Sequence, residues 1–124
     1  METLKDLYSE SKRLKVIEDQ TFRLPNELSL GELTKLLALF YSESNKLKVI
    51  ENLSFRLPNE LSLGELTKLL ALFYSESNKL KVTKTLQSRL TGHYSDSEFK
   101  AFTNHFYLES NRLEAIRLVN KTGN

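Results

Sequence analysis

The sequence predicts an all-α protein, an antiparallel up-down four-helix bundle in which each unit of a 33-residue repeat supplies one long helix and a short turn. Three observations carry this expectation. The run from Phe22 to Val49 recurs without change from Phe55 to Val82, and Tyr8, Tyr41, Tyr74 and Tyr107 stand in the same register, each followed by Leu14, Leu47, Leu80 or Leu113. Such a fixed period is the mark of a tandem array. A helix-start signature also returns once per period. Finally, Leu33, Leu36, Leu37, Phe40, Leu47, Ile50, Leu53 and Leu57 keep a helical stripe with no glycine or proline after Gly31 until Pro58, as an amphipathic helix requires. The chain reads as a single all-helical domain over residues 1–124, with a truncated unit at about 1–28, full units at 29–61 and 62–94, and a diverged unit at 95–124.

The first helix is expected over residues 3–23, opening at Thr3 with Leu4, Leu7, Leu14 and Ile17 at helical spacing. Pro25 ends it, because proline drives its predecessor out of the α region and has no amide to continue the ladder. Leu24 to Leu28 is then a turn. Ser29 and Glu32 form an S-x-x-E capping box, flanked by the hydrophobic staple Leu28/Leu33, so side chain and backbone satisfy each other at the helix start. The pair returns as Ser62 and Glu65, and as Ser95 and Glu98, each with its staple. One helix from Leu30 to Arg56 would be ~40 Å long. A competing reading breaks each unit into a helical hairpin at Ser42 to Asn45, giving a solenoid of the tetratricopeptide kind, whose period is similar. The third helix is expected from Leu63 to Leu90 with Gly92 as its left-handed terminus, and the fourth from Ser95 to about Asn120, with Lys121 to Asn124 frayed. Connections this short between long helices make neighbours antiparallel.

The best-repeated segment is Tyr-x-Glu-Ser-x-basic-Leu. At the middle of each long helix it would place Ser11, Ser44, Ser77 and Ser110 in one inward-facing layer of small residues, a structural waist. Glu10, Glu43, Glu76 and Glu109 invite comparison with carboxylate-bridged metal bundles, but those use Glu-x-x-His, and Arg13, Lys46, Lys79 and Arg112 stand where histidine is needed. No metal or cofactor is expected. The acid–base pairs read instead as i,i+3 partners on a solvated face. Arg23, Arg56 and Arg89 close successive helices, where a cation favours the helix dipole.

Composition narrows the function. With 40% hydrophobic and 27% charged residues and a net charge of +2, the chain has the balance of a globular protein and no basic block to hold nucleic acid or a membrane surface. It has no cysteine, and its amino terminus lacks an apolar run that would serve as a leader. The expected location is the cytoplasm, with no membrane span. The two histidines are His93, in a turn, and His105, which takes the place of Leu39 and Leu72; neither belongs to the repeated motif. A catalytic site would rest on carboxylates alone, so the chain is read as no enzyme.

Core and surface positions both accept substitution, so copies this alike are recent or made by hand. The leading reading is a protein-interaction or regulatory module that self-associates as a homodimer, its natural partner protein unspecified. The alternative is an engineered scaffold carrying a duplicated helix unit and no activity of its own. Thr85-Leu86, Tyr94-Ser95-Asp96, Phe106-Tyr107 and Arg112-Leu113 resemble the haemolysin-expression-modulating family, small helical partners of nucleoid proteins. That resemblance covers a minority of the chain and implies a nucleoid-associated or nucleic-acid-linked expression modulator.

Overall fold

The computed structural model describes residues 10–19 and 28–122. The expected Thr3 start and the turn before Leu28 lie outside them. Among the described residues there are seven α-helices, two 3-10 turns and no strand. The backbone groups into two compact units, Met1–Leu57 and Pro58–Asn124.

In the first unit α1 is Glu10–Asp19, α2 Leu30–Leu37 and α3 Glu43–Leu53, the last followed by a 3-10 turn at Ser54–Arg56. Helix α1 packs on α3. Leu14, Ile17, Leu33, Leu37, Phe40, Val49, Ile50 and Leu53 are its buried residues of greatest weight. The Leu28 amide donates to the Arg56 carbonyl at 2.7 Å, tying the entry of α2 to the end of α3.

The second unit holds α4 (Leu63–Leu70), α5 (Glu76–Leu86), a 3-10 turn at Gln87–Arg89, α6 (Asp96–Thr103) and α7 (Glu109–Thr122). Helix α4 packs on α6, and α5 on α7. Its core is Leu63, Leu66, Leu69, Leu70, Val82, Leu86, Phe102, Phe106, Ala115 and Val119, with the Phe102 and Phe106 rings edge to face at 5.5 Å. Leu61 and Leu90 form an isolated parallel bridge. Gly92 has φ 83°, the left-handed region that glycine enters without a steric cost.

The capping boxes are formed at all three starts: the serines Ser29, Ser62 and Ser95 accept from the amides of Glu32, Glu65 and Glu98, and each glutamate accepts in return from its serine's amide. What differs from expectation is the helix length. Each of the three predicted long helices after the first is two, because α2 ends at Leu37, α4 at Leu70 and α6 at Thr103, and a new helix begins at Glu43, Glu76 or Glu109. The end is tightened by 3-10-type bonds, Leu39 N–H to Leu36 O and Phe40 N–H to Leu37 O, which return as Leu72 to Leu69 and Phe73 to Leu70, and as His105 to Phe102 and Phe106 to Thr103. Such bonds satisfy the carbonyls a helix end leaves open. Phe40, Phe73 and Phe106 are buried at the break, so apolar burial rewards the turn. Ser42 and Ser75 then cap the next helix by accepting from the Asn45 and Asn78 amides. The connections are short enough that α2 and α3, α4 and α5, and α6 and α7 are helical hairpins.

This break moves the serine layer. Ser44, Ser77 and Ser110 are the second residues of α3, α5 and α7 rather than helix midpoints, and all three are exposed. They form no inward-facing waist. Ser11 holds the same place in α1, its side chain outside those described.

Candidate functional site

The repeated motif lies on the turn that joins the two helices of each hairpin. Tyr41, Tyr74 and Tyr107 are exposed on that turn, at 90%, 93% and 82% of full accessibility, although each follows a phenylalanine that is 1–2% exposed. The alternation is set by the backbone, which aims one aromatic ring at the core and the next at solvent.

Glutamate of the motif acts on the turn one period later. Glu10, at the start of α1, accepts from the Tyr41 amide at 2.6 Å, the Ser42 amide at 3.0 Å and the Asn45 side-chain amide at 3.1 Å. In the second unit Glu76 accepts from the Tyr107 and Leu108 amides at 3.0 and 3.3 Å and from the Asn111 side chain at 3.1 Å. A carboxylate here meets the open amides and the positive dipole of a helix start. Helix α7 depends on this most, since Leu108 stands where Ser42 and Ser75 stand and offers no hydroxyl.

The basic residue of the same motif takes the other side of the turn. The Arg13 guanidinium donates to the Leu39 carbonyl at 2.6 Å, and the Lys79 ammonium lies 3.5 Å from the His105 carbonyl and 3.2 Å from its ring Nδ1. Leu39 and His105 lie just past the ends of α2 and α6, where a cation meets the negative dipole. Glu10/Arg13 and Glu76/Lys79 are therefore two jaws of a clasp: the acid holds the helix that begins, the base holds the helix that ends. The expected solvated ion-pair face is replaced, at these pairs, by contacts between successive hairpins. In the last hairpin Arg112 turns back to its own turn, donating to Phe106 O at 3.2 Å and Tyr107 O at 3.4 Å.

Electrostatics follow the clasp. Partial burial raises the Glu10 and Glu76 pKa values, but the amides they accept from and the neighbouring Arg13 or Lys79 charge outweigh it, leaving both below the usual glutamate value. Glu98 is also held low, by the Ser95 amide and then the Gly64 amide, which reaches it from α4 at 3.1 Å. Burial, and then the Lys79 charge, push His105 below the ordinary histidine value, so it accepts from Lys79 as a neutral ring.

Arg56 and Arg89 occupy the ends of the 3-10 turns, Arg56 over the Phe55 ring at 5.0 Å and Arg89 3.4 Å from Pro58 O; Arg23 lies outside the described residues. His93 is exposed. An open depression of about 480 Å³ beside Tyr94, Asp96, Phe99 and Lys100 brings together one carboxylate and one amine, and another of about 490 Å³ lies beside Phe106, Tyr107 and Arg112. Among the described residues no group of three or more His, Asp or Glu is placed to hold a metal, and no helix is long and apolar enough to cross a membrane.

Spacing in the sequence could have pointed to the clasp, because Glu and base recur three apart in every unit, beside an S-x-x-N cap in the two identical ones. The long contacts were hidden by reading the motif as helix interior. No family model, no curated protein and no solved structure matches the chain, so the likeness to haemolysin-expression modulators gains no support and the reading of function rests on its own geometry.

Proposed function

We propose that the chain is a non-enzymatic array of helical hairpins, repeating every 33 residues, that acts as a protein-interaction or regulatory module. The observation that carries this reading is the recurrence of exposed Tyr41, Tyr74 and Tyr107 beside buried phenylalanines. Folding asks nothing of a side chain in water, whereas tyrosine presents a large apolar body and a hydroxyl with little rotamer entropy, and is enriched where proteins bind each other. A hairpin array also fits the 33-residue period better than four long helices, since each period then holds one complete helix pair. Cytoplasmic location and self-association as a homodimer belong to the same reading.

The test is capture from a cell lysate on immobilised protein, comparing the native sequence with a Tyr41→Ala/Tyr74→Ala/Tyr107→Ala variant of equal helicity. A partner held by the native chain and lost by the variant is the expected result. Equal capture by both overturns the tyrosine surface. No specific partner from any source favours the alternative, an engineered scaffold without activity. The nucleic-acid reading is weakest, because a net charge of +2 supplies few phosphate contacts; a mixed-sequence DNA titration at low salt should show no binding.

A further inference from the structure

Helix α7 leaves one face open, and that face is more apolar than its exposure asks. Glu109, Arg112, Leu113, Ile116 and Arg117 follow the spacing i, i+3, i+4, i+7, i+8 that lines one side of a helix. Leu113 is 59% exposed and Ile116 half-buried. One period earlier, on α5, the position of Ile116 is held by Thr83, which is 0% exposed. The sealed copy thus carries the hydroxyl and the copy that meets water carries the isoleucine, the reverse of what burial alone selects. Helix α6 goes the other way: Asp96 is exposed and Thr103 half-buried, where α4 buries Leu63 and Leu70 completely. The apolar side of α7 therefore lies beside a polar neighbour, as the core of a contact lies beside its rim.

We propose that this face pairs with the same face of a second copy, α7 antiparallel to α7 about a two-fold axis at Leu113; the inference rests on the homodimer proposed above and names its surface. The order of charges points to a second copy. Glu109 and Arg117 lie four residues from Leu113 on either side of it, so an antiparallel pair sets each Glu109 opposite the Arg117 of the other copy, twice over. The Glu109 carboxylate is open to such a partner: among the described residues it accepts no hydrogen bond, while Glu10 and Glu76 each accept three. Arg117 gives Nε and Nη2 to Glu114 in an exposed pair on its own helix, which steadies the guanidinium and leaves Nη1 to donate. Arg112 is drawn back to the Phe106 and Tyr107 carbonyls, so Leu113 and Ile116 of the two copies fill the middle of the contact. Such a face is complementary to itself and closes at two copies. One pair of helix faces falls short of the ~1,200 Å² of a standard interface, so the dimer is weak.

Sedimentation equilibrium of the purified full chain from micromolar to millimolar concentration tests this. The expected result is a weight-average mass that rises from 14.4 kDa toward twice that value and goes no further. Leu113→Lys should abolish the rise. Glu109→Arg and Arg117→Glu, each with helicity unchanged by circular dichroism, should each weaken the dimer about tenfold, because each sets like charges opposite across the axis. An equal mixture of these two variants should recover it, since both crossings between them are then of opposite sign. A monomer at every concentration, a mass that climbs past the dimer, a dimer indifferent to Leu113→Lys, or a mixture no stronger than either variant alone overturns the proposal. A monomeric chain that still captures a foreign partner through its tyrosines removes this inference and leaves the interaction reading in place. A Tyr41→Ala/Tyr74→Ala/Tyr107→Ala chain that dimerises as the native one does, where the native chain captures nothing, removes the tyrosine surface and leaves this one.

Discussion

Ser62, Ser95 and Ser77 all sit at helix starts, and alanine should separate them. Ser62 and Ser95 are caps whose hydroxyls accept the third amide of α4 and α6, so Ser62→Ala and Ser95→Ala should each cost about 0.5–2 kcal/mol in urea denaturation. Ser77 is exposed at the second position of α5, and Ser77→Ala should stay within about 0.5 kcal/mol. A large loss at Ser77 would revive the inward-facing layer. Glu76 makes a different prediction, one of pH. Its folded pKa lies below the ordinary 4.5 despite burial, owing to Asn111, Tyr107 and Leu108. A depressed carboxylate adds stability above its unfolded pKa, and that stability disappears as pH falls through the folded value. Glu76→Gln should thus lower the melting temperature at pH 7 and flatten its fall below pH 4.5; an unchanged acid limb would mean that the carboxylate does not hold the turn in solution.

At the scale of the element, the breaks at Ala38–Ser42, Ala71–Ser75 and Asn104–Leu108 show what local sequence signals carry and what they omit. The starts at Ser29, Ser62 and Ser95 were legible because both partners of each capping box lie within one turn. Gly92 was legible for the same reason. The breaks were not, since Ala-Leu-Phe-Tyr contains no glycine or proline and fits a helical stripe, while the groups that hold the turn open, Glu10 and Arg13 or Glu76 and Lys79, lie a period away. The competing hairpin reading placed a break at Ser42 to Asn45, and the continuous stripe outweighed it. His105 puts this contact under pH control. Its pKa is lowered, first by burial and then by Lys79, so the folded state resists protonation and stability falls as pH drops from the ordinary 6.5 toward the folded value. His105→Leu, which installs the residue of Leu39 and Leu72, should remove that step. Thermal melts at pH 5 and pH 8 would show it as a gain larger at pH 5, and equal gains at both would rule out the proton.

For the whole molecule, apolar burial holds each unit and the clasps position the hairpins within it. Phe102 is fully buried against Phe106; Phe102→Ala should cost about 3–5 kcal/mol in denaturant unfolding, whereas loss of a cap costs less than half as much at most sites. The apolar residues of this core were readable from their spacing. Their grouping into Met1–Leu57 and Pro58–Asn124 was not, because an unbroken period gives no compositional boundary at Pro58.

The turn at the middle of each period also settles a question of parity. A unit of one helix would reverse the chain's direction each time it was copied and leave every later helix facing the wrong neighbour. A unit of two keeps an even number of helices, with its acids and bases at the same sequence offsets as before. Excising residues 55–87, which joins Ser54 to Ser88, should leave a helical protein that unfolds cooperatively at a lower temperature, whereas excising half that length should not fold. If the full excision folds, the helix pair rather than the single helix is the step by which such a chain can be lengthened or shortened.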